Sequence, residues 1–119
     1  MSGSFSTRVL DAVLSRKRRE KEIARRKMIK ITLSALEKLS ERYPFSRAYI
    51  FGSLIETGRF VPGISDVDIA IEGLKDEDFF PAAGFLSTLL EVDVDLIQLE
   101  GHPLEDIIRK EGLLWMQRG

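Results

Sequence analysis

The chain has 119 residues, 44% of them apolar, and no cysteine; one domain with a modest core is expected, and disulfides and thiolate metal sites are excluded. No apolar run approaches the ~20 residues of a membrane span and no signal-like segment opens the sequence, so a cytoplasmic location away from membranes is expected. The net charge of −1 conceals a division: residues 1–50 carry 13 Lys/Arg against 5 Asp/Glu, and residues 51–119 carry 5 against 14.

From about Ser6 to Arg42 the sequence reads as helix, free of Gly and Pro, with Ser6 or Thr7 as its cap. Val9, Leu10, Val13 and Leu14 make one apolar stripe, and Ile29, Leu33, Leu36 and Leu39 another. The stretch from Arg16 to Lys30 between them is strongly basic. Either the helix is long and projects, or it breaks there. Tyr43-Pro44 ends it. Ala48–Phe51 predicts a first strand, stopped by Gly52, and Ser53–Thr57 a single helical turn. A loop through Pro62 and Gly63 leads to a second strand, Asp66–Ile71. Asp76 or Asp78 caps a helix to about Leu90, with Phe79, Phe80, Leu86, Leu89 and Leu90 toward the sheet and Pro81 in its first turn. Val92–Leu99 is the third strand. Pro103 opens a last helix at its first position, Gly112 closes it, and Leu113–Met116 adds apolar weight at the end. A helical crossover makes strands two and three parallel, and strand one is placed antiparallel to strand two.

The chemistry concentrates at the strand ends. A period of two puts Asp66 and Asp68 on one face, about 6.5–7 Å apart. Asp93 and Asp95 share a face on the third strand. Three or four carboxylates converging there would repel one another unless a cation sat among them. Oxygen donors without His or Cys point to Mg²⁺ or Mn²⁺. Two such ions about 3.5–4 Å apart would suit in-line phosphoryl or nucleotidyl transfer. Gly52-Ser53 is the complement, a backbone a phosphate can approach with a hydroxyl beside it.

"FGS", "SDVDIAI" and "DVDLIQL", in that order, resemble the minimal nucleotidyltransferases of the DNA polymerase beta superfamily. The closing "IIRKEGLLW" is similar to that family's last helix, and the resemblance spans roughly residues 28–116. It implies an α+β, palm-like fold: a small mixed sheet flanked by helices, with a long basic N-terminal helix added. It implies that Gly52 and Ser53 grip the phosphates of an NTP, ATP by expectation. Asp66, Asp68 and Asp95 would be the catalytic metal ligands, with Mg²⁺ or Mn²⁺ as the ion. The expected reaction moves a nucleoside monophosphate to an acceptor hydroxyl. The acceptor site would come from a second copy or from a helical partner of the HEPN class, as in toxin–antitoxin pairs; the alternative is a binding subunit with weak or no catalysis. The spacer of twelve residues from Ser53 to Asp66 is longer than in many small relatives. The family's arginines after Gly-Ser are replaced by Leu54, Ile55 and Glu56, which leaves Arg59 as a substitute phosphate ligand.

The expected division is a basic extension over 1–27 and the nucleotidyltransferase domain over 28–119. The basic stretch reads as a solvated face, a surface for a partner protein, or, with less support, a nucleic-acid surface, since no aromatics interleave it. His102, the only histidine, reads as a loop or cap residue rather than a catalyst.

Overall fold

The computed structural model describes residues 3–117, with side chains described from Thr7 onward. Gly3–Arg42 form one uninterrupted helix, α1. Its Arg, Lys, Glu, Leu and Ala residues are strong helix formers, and the basic stretch continues it rather than breaking it. Forty residues at about 1.5 Å each give a rod of ~60 Å, which sets the 65 Å long axis of the molecule against 28 and 25 Å for the others. The helix begins before Ser6 and Thr7, so neither stands at its N-cap; the Ser6 side chain lies outside the described residues.

The two stripes on α1 have different fates. Ala35, Leu36 and Leu39 are buried in the main core, with Met28, Ile29 and Leu33 partly buried against it. The buried Thr32 hydroxyl donates to the Met28 carbonyl at 2.7 Å, so it carries no unmet donor into the core. Val9, Leu10 and Leu14 remain about half exposed. After Arg42 the Tyr43 N–H donates to the Leu39 carbonyl, and Pro44, which has no N–H, stops the ladder.

Four strands form one mixed sheet in the order β3-β2-β1-β4: β1 (Arg47–Phe51), β2 (Val67–Glu72), β3 (Val94–Gln98) and β4 (Leu113–Met116). β1 is antiparallel to β2, and β2 is parallel to β3, as the connections predict. α2 (Phe79–Leu90) is the crossover between β2 and β3. Ala48, Ile50, Val67, Ile69, Ile71 and Leu96 face the core that α1 and α2 close. Tyr49, Ala70 and Leu99 point the other way and are covered by Ile108 of α3 (Glu105–Glu111). The architecture is α+β: a four-stranded mixed sheet with three helices, consistent with a nucleotidyltransferase fold.

Several expectations need correction. Leu113–Met116 is not a bare apolar tail but a strand, β4, antiparallel to β1. Gly112 has an extended backbone, and a Cβ there would stand 2.6 Å from the Ile108 carbonyl oxygen, so the glycine lets the chain fold back tightly after α3. Trp115 then packs on Phe45 with ring centroids 5.1 Å apart. On α2, Phe80 is 81% exposed and Leu89 also turns outward, whereas Ala82, Leu86 and Leu90 are buried. Asp76 and Asp78 fall in a short 3₁₀ turn that leads into α2, and Asp78 makes no side-chain capping bond; Asp76 accepts from Gln98 instead, at 3.0 Å. Pro103 lies two residues before α3 rather than at its first position. There His102 Nδ1 accepts the Leu104 N–H at 3.0 Å, the loop role expected of it. α3 is tied to the sheet through Arg109, which pairs with Glu105 and with Glu72 of β2, while Arg47 of β1 reaches the same Glu72 at 3.2 Å. Among the described residues no helix is long and apolar enough to cross a membrane.

Candidate active site

The site is built where β1 ends. Phe51 is extended, and at Gly52 the chain enters the left-handed region, φ +74°, before one 3₁₀ turn, Gly52–Ile55. L-residues pay for that conformation and glycine does not. Space makes the same demand. A Cβ on Gly52 would stand 2.2 Å from Asp68 Oδ2, so the Asp68 carboxylate occupies the place where a side chain would be. Glycine here admits a carboxylate of the chain itself.

The turn is held at two points. Leu54 is fully buried in the main core. Its carbonyl accepts a 2.9 Å hydrogen bond from Arg25 Nη1 of α1. The same guanidinium donates through Nε and Nη2 to the two oxygens of Glu22, at 2.9 and 2.8 Å. Glu22 also accepts from Arg26, and the two arginines lower its pKa to about 2. The Glu22 bonds hold Arg25 in one orientation, and that orientation fixes the turn carrying Ser53. Arg25 was not visible as a site residue among the many basic side chains of its stretch. The available signal was Glu22 with arginines three and four residues later, the spacing at which helical side chains meet.

The carboxylates follow from the register. Phe51 of β1 lies opposite Asp68 of β2, and Asp68 lies beside Asp95 of β3, so the three form a row across the sheet. Neighbouring strands are about 4.8 Å apart, which brings the two aspartates close with like charge. Asp66 stands two residues before Asp68, just outside β2, and is exposed. The Asp68 pKa is raised, first by burial, then by the charge of Asp95, then by that of Asp66. Register and spacing thus place the three predicted aspartates in one neighbourhood. Among the described residues no Lys or Arg forms an ion pair with any of them. Their oxygens are nonetheless not drawn together into a three-ligand cluster among the described residues, so the expected convergence is of neighbourhood and not of ligand distance.

A donor set of aspartate oxygens without nitrogen, sulfur or a competing cation fits Mg²⁺ or Mn²⁺. Asp93 is exposed and contributes its backbone: its carbonyl accepts the Val67 N–H at 3.0 Å and starts the β2–β3 pairing. With Asp66 it lines an open cavity of about 470 Å³ under the C-terminal end of α2. Arg59 is exposed and ion-paired with Glu56 at 2.6 Å.

A glycine turn set beside a row of carboxylates on a small mixed sheet suits chemistry on phosphate esters. The chain belongs to the nucleotidyltransferase domain family, whose model matches residues 32–116. The match begins after Arg25 and covers the turn, all three aspartates and β4. No curated protein and no solved structure matches the chain significantly. The family defines the general activity, transfer of a nucleoside monophosphate, and its domains use divalent metals.

Proposed function

We propose that this chain transfers AMP from ATP to an acceptor hydroxyl, with Asp66, Asp68 and Asp95 as ligands for Mg²⁺ or Mn²⁺. The observation that carries the reading is the Asp68 carboxylate seated against Gly52, which joins the metal ligands and the phosphate turn into one site. Bound divalent ions supply charge neutralisation along the triphosphate and Lewis acidity at the reacting oxygens. The chain's own groups do the rest. The Ser53 hydroxyl and the N–H groups at the start of the turn, which have no partner inside it, bind the phosphate oxygens. The turn keeps its shape because Arg25 and the Leu54 side chain hold it. The acceptor oxygen forms a bond to the α-phosphorus as the bond from the α-phosphorus to the bridging oxygen breaks, and pyrophosphate leaves. The acceptor's proton passes to an aspartate, for which Asp95, the exposed end of the row, is the accessible choice. Arg59 reaches the leaving phosphates once it exchanges Glu56 for them.

The acceptor in this reading belongs to a helical protein of the HEPN class, as in a toxin–antitoxin pair, or to a second copy of the chain. Support comes from the projecting half of α1, whose Val9, Leu10 and Leu14 are half exposed among basic residues. Leu54, Ile55 and Glu56, standing where relatives have arginines, favour the second reading, a subunit that binds nucleotide and masks its partner without fast turnover.

Label transfer tests the chemistry. The full chain with a co-expressed helical partner, Mg²⁺ and ATP labelled at the α-phosphate should give a labelled protein; γ-labelled ATP should not. Label from the γ position would make the enzyme a phosphoryl transferase and refute the reading. ATP binding without transfer would leave the masking subunit.

A further inference from the structure

From Arg16 to Glu22 every residue of α1 is charged. Arg16, Lys17, Arg18 and Arg19 follow one another at about 100° around the helix axis, so cations point to every side of α1. All four are exposed, as is Lys21. Among the described residues none of the five forms an ion pair; Arg18 Nε donates to the Leu14 carbonyl at 3.4 Å. Glu22 is held by Arg25 and Arg26, which leaves Glu20 as the acid within the belt.

The belt also stands clear of its own domain. α1 meets the domain at Arg25, which bonds the Leu54 carbonyl, and at Met28, which packs on the main core. From Thr7 to Lys21 every residue except the half-buried Val13 is exposed, a free rod of about 22 Å. Residues 51–119 carry 5 Lys/Arg against 14 Asp/Glu, so a polyanion is repelled by the domain and attracted by the rod. The belt precedes residue 32, where the family match begins, and so lies outside the domain shared with that family.

The all-round distribution of charge decides between partners. The core of a protein interface is depleted of charge, and Arg16–Glu22 offer it no apolar anchor. A helix lying on a membrane needs an apolar face along its length, which these two turns lack. Cations on opposite sides of one helix suit a groove with phosphates on both walls. The major groove of B-form DNA, about 12 Å wide, admits an α-helix, which is ~10–12 Å across with its side chains. The absence of aromatics removes stacking on single-stranded bases but not phosphate contacts to a duplex. Duplex RNA presents a major groove too narrow for side chains to enter.

We propose that the Arg16–Lys21 belt of α1 binds double-stranded DNA, lying in the major groove with its arginines and lysines on the phosphates of both walls. Phosphate contacts carry no sequence information directly, so the binding is largely indifferent to sequence. It is independent of the nucleotide site: loss of one leaves the other in place.

Fluorescence anisotropy of the full chain with a labelled DNA duplex of about 20 base pairs, two helical turns, tests this. Affinity should fall steeply with salt, and exchanging Arg16, Lys17, Arg18 and Arg19 together for glutamine should flatten the log–log slope by roughly 3–4, at about 0.9 per phosphate contact. Glutamine keeps the helix, so circular dichroism and ATP binding of this variant should match the parent. The variant should bind DNA at least tenfold more weakly at low salt. In the parent, backbone amide resonances of residues 16–21 should shift with DNA while those of Ile69 and Ile71 in β2 stay fixed, a readout that needs no variant. An unchanged slope in the variant, or unmoved resonances at 16–21, overturns the proposal. So does affinity for duplex RNA or a single strand equal to that for duplex DNA, which would reduce the belt to a general polyanion binder. Binding to vesicles of anionic phospholipid without binding to DNA would make the rod a membrane-surface helix and overturn it as well.

Discussion

Replacing Gly52 by alanine separates the two demands made on that position. The first is conformational: a left-handed φ of +74° costs an L-residue about 1–2 kcal/mol. The second is steric: the new Cβ would lie 2.2 Å from Asp68 Oδ2, 3.1 Å from its Cγ and 3.4 Å from its Cβ. Only the outer carboxylate is in conflict, so Asp68 can rotate away, at about 0.5–1.5 kcal/mol for an off-rotamer side chain. Gly52→Ala should thus cost roughly 2–3 kcal/mol, a sizeable share of the ~5–15 kcal/mol expected of a domain without unfolding it. Asp68→Ala removes Oδ2 and Cγ and leaves a Cβ at ordinary contact distance. In that background Gly52→Ala should cost only the conformational part, about 1–2 kcal/mol. Urea unfolding of the four proteins in chelator gives the coupling directly, expected near ~1 kcal/mol. Each single variant should also lose metal-dependent ATP binding, one by displacing Asp68 and the other by deleting it. If Gly52→Ala costs the same in both backgrounds, Asp68 does not rest against Gly52 and the steric argument is refuted.

Asp68→Asn should stabilise the metal-free protein near neutral pH. Because the folded pKa of Asp68 is raised, the stability tied to its proton is fully present below the ordinary carboxylate range and is lost as pH rises through the raised value. The advantage of the asparagine should therefore shrink on acidification, and an advantage that grows toward low pH in thermal melts would contradict the burial and repulsion assigned to Asp68. Arg25→Met should leave the Leu54 carbonyl without its partner, at about 1–3 kcal/mol. Amide exchange should accelerate at residues 53–56 and ATP affinity fall; unchanged exchange there would show that Leu54 alone holds the turn. A chain beginning at Lys21 keeps Glu22 and Arg25, so it should fold and bind ATP but lose association through the projecting half of α1. Sedimentation at low and high salt checks this, and a full chain that stays monomeric with and without a helical partner would refute it.

Much of the fold was legible because period and punctuation agreed. The first three strands are bounded by Gly, Pro and Asp, and placing the first antiparallel to the second brings the end of one beside the start of the other, so the meeting of Gly52 with Asp68 followed from topology. The misses share a cause. Leu113–Met116 is an apolar run too short for periodicity to class, and only pairing with β1 makes it a strand. Phe80 was expected inside because it is large and apolar, but helical phase gives the inward position to Ala82. In the site, the aspartates announced themselves as charges in an apolar strand. Arg25 did not, because a basic residue in a basic stretch has no local contrast; its role exists only through a carbonyl 29 residues away.

Among the described residues the sheet order leaves β3 with one neighbour, so its outer backbone groups are open to pairing with another chain. Such edges invite aggregation unless charge or brevity guards them. β4, at the other edge, is only four residues long. β3 is guarded by charge: Asp93 precedes it and Asp95 lies within it, both exposed. The carboxylate proposed for catalysis is thus also a solubility device. An Asp95→Ala enzyme, made as an inactive control, would carry an unbroken apolar run from Val94 to Ile97 on an open edge and invite loss of soluble protein. Its missing activity would then mix chemistry with self-association. Asp95→Asn, assayed with its concentration measured after centrifugation, keeps a polar group on that edge and separates the two.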